Sequence, residues 1–342
     1  MLKKERIEAS LVELTKDDFV SDQMVKWCPG CGAHAILAAV ANVFPRIGYK
    51  KENFAMVSGI GCSSRFPYYV NTYGFHGIHG RASAIASGLK LSNPGLSVWI
   101  ATGDGDSMAI GGNHFIHLIR RNIDVNIMLF NNQIYGLTKG QYSPTTPMGS
   151  VTKTSPYGTI EHPFIVSGLV LGAQGTFFAR VPDNNVKLMS EVMYEAAKHD
   201  GTSVVEILQN CIIFADKTHG EVTDRATRDD RQLVLKHGEP MIFGKEGDKG
   251  IMLEQNGLKV VTIGQNGVVK SDILVHDQYA KDPGIHRMIG RMTNPVAMGV
   301  IRSAPYATYD DLMEEQISQA KKESKIKNVN DLLRSGDTWE VK

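Results

Sequence analysis

Apolar residues along the chain fall into alternating helical and extended patterns, separated by glycine-rich turns. Residues 33–44 (AHAILAAVANVF) are Ala-rich and apolar at helical spacing behind the turn CPGCG, which predicts a helix beginning near Gly32. The β-prone run NFAMVS leads into GIGCSSR and LSVWIAT leads into GDGDS, so both glycine clusters sit at strand ends. Residues 106–121 read as a helix, and DVNIMLFNN, ending in two asparagines, reads as the next strand. TFFARV, a helix over 184–199 and TSVVEIL continue the alternation, with Cys211 just past the last strand. Strands alternating with helices predict an α/β fold, a mostly parallel sheet with helices on both faces. Ligands of such sheets bind beyond the carboxyl ends of the strands, where GIGC, GDGD and NNQIYG would converge on one rim.

The stretch 134–163 is rich in Gly, Ser, Thr and Pro, and so long a loop inside a compact domain is usually functional. A core domain over 1–215 is expected, followed by a more charged C-terminal extension over 216–342. That extension has a short strand near VVTIG and a terminal helix at DDLMEEQISQAKKE, and reads as an accessory lobe or subunit-contact region. The Lys-rich run QAKKESKIK, interspersed with acids, reads as a solvated helix face.

Lys and Arg total 37 against 36 Asp and Glu, which gives no electrostatic footprint for nucleic acid or an anionic membrane. FIVSGLVLGA, among the longest apolar stretches, is too short to span a bilayer. The charged amino terminus lacks the apolar region of a secretory signal, so the expected location is the cytoplasm. In that compartment the four cysteines, Cys28, Cys31, Cys62 and Cys211, are expected to serve metal or redox chemistry rather than disulfides.

Gly103-Asp104-Gly105-Asp106 follows an apolar strand and precedes a helix, where backbone N–H groups can approach a phosphate and a carboxylate can hold Mg²⁺ against it. Asn131-Asn132 lies one helix and one strand further on. Neither GIGCSS nor GDGDSM completes the dinucleotide fingerprint G-x-G-x-x-G. The arrangement resembles the thiamine diphosphate motif, in which GDG is followed by a strand ending in asparagine. By that resemblance Asp104, the Asn132 side chain and the Ile134 carbonyl bind Mg²⁺.

C-P-G-C places two thiols on one turn, with Pro and Gly in the reverse of the thioredoxin order. Four cysteines with none left over can hold an iron–sulfur cluster or a structural zinc, and spacing alone leaves both open. WCPGCG, GIGCSSR, HGIHGRA, GDGD and NNQIYGLTKGQYSPTTP occur in the same order as in β subunits of 2-oxoacid:ferredoxin oxidoreductases. Over roughly residues 20–215 the chain resembles that family, and the extension is similar to the longer β subunits of its 2-oxoglutarate-type enzymes.

The resemblance implies a thiamine diphosphate-binding fold with Mg²⁺, and one [4Fe–4S] cluster on Cys28, Cys31, Cys62 and Cys211. It implies cofactor contacts from Gly61, Cys62, Ser63, His76, His79, Gly103, Asp104, Gly105, Asp106, Asn132, Ile134, Gly136 and Leu137. Arg65 and Lys139 are candidates to hold a substrate carboxylate, and Leu137 to shape the pocket around the substrate. The implied activity is oxidative decarboxylation of a 2-oxoacid with coenzyme A, first of all 2-oxoglutarate, with pyruvate and branched 2-oxoacids behind it. Electrons would leave through the cluster to ferredoxin, and the reverse direction is open. An α subunit, of the fused γ/α type, would complete an αβ or doubled αβ unit. Two other readings stand: a non-redox thiamine decarboxylase subunit pinned by zinc, and a non-catalytic assembly subunit.

Overall fold

The computed structural model describes residues 13–255 and 257–341, so the charged leader at 1–12 lies outside the described residues. Eight strands form one sheet: β1 (Phe54–Ser58), β2 (Tyr73–His76), β3 (Ser97–Gly103), β4 (Asn126–Asn131), β5 (Phe177–Pro182), β6 (Ser203–Leu208), β7 (Gln232–Val234) and β8 (Val296–Ser303). Their order is β2-β1-β3-β4-β6-β5-β8-β7. The first six are parallel, and β8 joins β5 antiparallel. The expected α/β class is what the chain adopts.

The central strands read as continuous apolar runs because both faces of the sheet are covered. Trp99, Ala101, Met128 and Phe130 face one core with the helix Ala33–Ile47. Ile100, Ile127 and Leu129 alternate with them and face a second core with Phe115 and Leu118 of the helix Gly112–Arg121. The helix Ala33–Ile47 ends at Gly48, whose φ of 85° is the left-handed conformation that glycine adopts without strain.

Two expectations are corrected. The helix over 106–121 is broken: a π turn at Asp106–Ile110 precedes the helix Gly112–Arg121. The break lets Gly111 pack against Gly80, where a Cβ on Gly111 would stand 3.0 Å from the Gly80 Cα and 2.5 Å from the Asp106 carbonyl oxygen. The sheet also runs across residue 215, since β7 and β8 come from the extension and complete its edge. The rest of the extension carries a three-stranded antiparallel sheet over 242–262 and the helices Gly284–Gly290 and Tyr309–Glu323. Among the described residues no helix is long and apolar enough to cross a membrane.

Register sets the rim. Ser58 stands beside Ala101, Gly103 beside Phe130, and Asn131 beside Leu208. The loops after β1, β3, β4 and β6 therefore leave the sheet at one end, which brings GIGC, GDGD, NNQIYG and Cys211 together.

Candidate functional site

A narrow cleft of about 80 Å³ lies on this rim. Gly61, Cys62, Ser63, His79, Gly103, Asp104, Gly105, Asp106, Asn132, Ile134, Gly136 and Leu137 all line it. Larger cavities of about 880 and 810 Å³ lie elsewhere, along the extension and at the other end of the sheet. The buried carboxylates Asp104 and Asp106 and the glycine turns gather at the small cleft.

Asp104 is 1% exposed, and the Ser143 and Thr145 hydroxyls both donate to its Oδ2. Burial pushes its carboxyl up to about 6, against the pull of those two donors. Thr145 Oγ1 also lies 3.0 Å from Asn131 Oδ1. Asn131 Nδ2 in turn donates to Glu206 Oε1 at 2.8 Å, and Glu206 Oε2 accepts from Arg180 Nε at 2.7 Å. A buried polar chain thus runs across β4, β6 and β5 to the Asp104 carboxylate. Asn132 Oδ1 accepts from the Ile134 N–H at 3.2 Å, which folds the turn over the cleft and leaves a second lone pair on that oxygen. The Tyr135 hydroxyl donates to the Gly105 carbonyl at 3.0 Å and closes one wall.

Asp106 acts differently from its neighbour. Its Oδ1 accepts the N–H groups of Ile60 (3.0 Å) and Gly80 (2.8 Å), and its Oδ2 accepts the Thr102 hydroxyl at 2.8 Å. This carboxylate ties the GIGC and HGIHG loops to the GDG turn, so its oxygens are engaged by protein donors. His79 Nδ1 lies 2.8 Å from the same Asp106 Oδ1, and the ring reaches the cleft. His76 does not reach it: exposed at the end of the outermost strand, its Nδ1 meets the Tyr68 hydroxyl at 2.9 Å. Lys139 is exposed and lies outside the cleft lining. Arg65 is half-buried one turn beyond Cys62 and also lies outside the lining, while Leu137 lines it at 45% exposure.

The four thiols share one neighbourhood beside this cleft. Burial pushes the Cys62 thiol up to about 11, and Cys31, Cys211 and Cys28 each add to the rise. Burial likewise raises Cys31, with Cys211 and Cys28 contributing. A Cβ on Gly136 would lie 3.5 Å from Cys211 Sγ and 3.7 Å from Cys62 Sγ, so the glycine leaves open space between two sulfurs. Gln209 Nε2 donates to Cys31 Sγ at 3.4 Å, and the Trp27 ring N–H fixes the Cys62 carbonyl at 2.7 Å. Cys28 is exposed, and the other three are half-buried. Among the described residues no three His, Cys, Asp or Glu side chains close on a single metal ion.

Sequence reasoning missed Ser143, Thr145, Tyr135, Gln209 and the Arg180–Glu206 pair. It also missed His219, whose Nε2 donates to the Asn131 carbonyl at 2.8 Å. The hydroxyl-rich run SPTT within the long loop was the one available signal for Ser143 and Thr145.

Residues 59–207 match the model of the family described as thiamine pyrophosphate enzyme, C-terminal TPP binding domain, which sets the class to which this rim belongs. The chain is 46% identical over 330 residues to the 2-oxoglutarate oxidoreductase subunit KorB of Mycobacterium tuberculosis, covering 95% of this chain and 88% of that one. It is 43% identical over 196 residues to the 2-oxoglutarate synthase subunit KorB of Archaeoglobus fulgidus, covering 57% and 73%. A solved 2-oxoglutarate:ferredoxin oxidoreductase from Magnetococcus marinus, with 2-oxoglutarate, coenzyme A and succinyl-CoA bound, superposes at a TM-score of 0.77. That match has 30% identity and covers 97% of this chain and all of the other. The chain belongs to the β subunits of the 2-oxoacid:ferredoxin oxidoreductases.

Proposed function

We propose that this chain, joined to an α subunit, converts 2-oxoglutarate and coenzyme A to succinyl-CoA and CO₂, and passes the electrons through a [4Fe–4S] cluster to ferredoxin. The observation that carries this reading is the meeting of four thiols with the Asp104–Asn132 rim across a single glycine, Gly136. The names and ligands of the relatives support the choice of 2-oxoglutarate.

Asp104, the Asn132 side chain and the Ile134 carbonyl would hold Mg²⁺ against the diphosphate, an all-oxygen donor set that suits this ion. The hydroxyls of Ser143 and Thr145 hold the Asp104 carboxylate, which lines the cleft. When bound, thiamine diphosphate supplies the carbanion chemistry of decarboxylation, and the protein supplies orientation and an electron exit. His79, whose Nδ1 lies beside Asp106 Oδ1, lines the cleft and would donate toward a phosphate oxygen. Cys62, Cys31, Cys211 and Cys28 would hold the cluster, with Gln209 donating to one sulfur and the exposed Cys28 marking the side from which electrons leave. Zinc is the other metal that four thiols can hold. It would draw four sulfurs in to about 2.3 Å from one point, and the iron and zinc content of the purified complex separates it from the cluster.

The cleft's volume of about 80 Å³ is far below the roughly 300 Å³ of small ligand pockets. The remaining walls, and the acid that activates the thiamine ring, are assigned to the α subunit, so the single chain should turn over negligibly. The cofactors are assigned to the loops of residues 1–215, and the subunit contacts to the parts of 216–342 outside β7 and β8. The test is an anaerobic absorption spectrum with iron, zinc and sulfide analysis of the chain purified with its α subunit. About four irons per chain and a brown band bleached by 2-oxoglutarate plus coenzyme A are expected. One zinc and no colour would overturn the proposal.

A further inference from the structure

A cavity of about 810 Å³ opens at the opposite end of the sheet from the cleft. Its wall forms where the helix Gly112–Arg121 ends, just before β4 begins, and where the helix Tyr309–Glu323 starts. The cleft lies past the other end of β4, so the length of that strand, roughly 17 Å at about 3.3 Å per residue, separates the two.

Four guanidinium groups line this cavity, those of Arg120, Arg121, Arg287 and Arg302, and among the described residues no Asp or Glu joins them. Arg120 and Arg121 are exposed, and neither enters an ion pair or side-chain hydrogen bond among the described residues. Arg302 is 3% exposed. Its terminal nitrogens donate to the carbonyls of Ala280 (2.8 Å) and Lys281 (3.1 Å), one of them also meets His286 Nδ1 at 3.0 Å, and its Nε is buried without a partner. Burial lowers its affinity for a proton, against the pull of Tyr306 and Asp282 and with a contribution from the Arg287 charge. Like charges gathered around a hollow repel one another, and a polyanion is the occupant that relieves this. Tyr306 and Tyr309 stand on the same wall at 52% and 41% exposure, and offer ring faces on which a base can stack.

We propose that this cavity is a binding site for a phosphorylated nucleotide, its phosphates held by Arg120 and Arg121 and its base by Tyr306 and Tyr309. Lying a strand's length from the cleft, such a ligand acts as an effector rather than as a reactant, and the site stands apart from the thiamine reading. The test uses the complex with the α subunit, saturated with Mg²⁺ and thiamine diphosphate so that the cleft is filled, and titrated calorimetrically with ATP and with inorganic pyrophosphate. ATP is expected to bind, with pyrophosphate weaker by about tenfold or more, and the double variant R120A/R121A is expected to weaken ATP by about tenfold or more. Both arginines sit exposed at a helix end away from the cleft, so the variant should fold and keep its basal activity. No ATP binding, an affinity unchanged in the variant, or pyrophosphate binding as tightly as ATP would each overturn the proposal.

Discussion

Replacing Glu206 by Gln tests whether the rim depends on the buried chain behind it. Arg180 and Glu206 face each other across paired strands with side chains 7% and 4% exposed, and Glu206 also accepts from Asn131. The amide keeps the shape but removes the charge, and its NH₂ group must face one of the two donors that the carboxylate accepted. Breaking a buried pair from one side typically costs about 3–5 kcal/mol, because the remaining charge stays uncompensated. Replacing both partners, as in R180M/E206L, removes that charge and should cost about 1 kcal/mol, chiefly the lost acceptor for Asn131. Urea unfolding of the two single variants and the double variant should therefore give a coupling energy of at least about 2 kcal/mol. In E206Q, looser positioning of Asn131 and Thr145 should also weaken Mg²⁺–thiamine diphosphate binding by about tenfold or more. A loss in E206Q under about 1 kcal/mol, or a double variant as costly as the sum of the singles, would refute the reasoning.

Cys62→Ser and Cys211→Ser should each drop the iron content from about four to below about one per chain, and full iron retention in either would remove that residue from the ligand set. In the metal-free chain the Cys62 thiol is raised from 9.0 to about 11 by burial, so the folded state holds its proton longer than the unfolded one. The resulting stability is present below the ordinary thiol value and is lost as pH rises toward about 11. Urea midpoints of the metal-free chain should fall across that window, and less steeply in Cys62→Ser; parallel curves would contradict the assignment. In Gly105→Ala the new Cβ would collide with the Tyr135 ring. Displacing this wall should lower kcat/KM by about 100-fold in the αβ enzyme, and an unchanged value would show that Tyr135 yields freely.

The central strands were legible because burial on both faces makes them continuous apolar runs, and the glycine turns stood out because no side chain interrupts them. What stayed hidden depended on long-range partners. The break at Ile110 follows from the close approach of Gly80, a residue from another loop that no local pattern at 106–121 records. β7 is three residues long, too short for alternation to show, and β8 joins the sheet antiparallel from far along the chain. Asp104 and Asp106 look equivalent in GDGD, yet one accepts from the hydroxyls of a distant loop and the other ties down the backbone N–H groups of two loops. His76 and His79 likewise differ only in which way the chain turns after β2.

The same long-range dependence explains why a fold of this kind can hold an oxygen-rich ion site and a thiol site side by side. Cys28 and Cys31 precede the first long helix, Cys62 follows β1, and Cys211 follows β6, so no single element carries the set. Only the register that places Ser58 beside Ala101 and Asn131 beside Leu208 brings these loops to one end. Gly136, on the turn after β4, then stands between the sulfurs and the Asp104 cleft with no side chain to separate them. A cluster held by these thiols and a cofactor held by Asp104 would therefore be neighbours by virtue of strand pairing, and a defect in pairing at β6 should weaken both sites together.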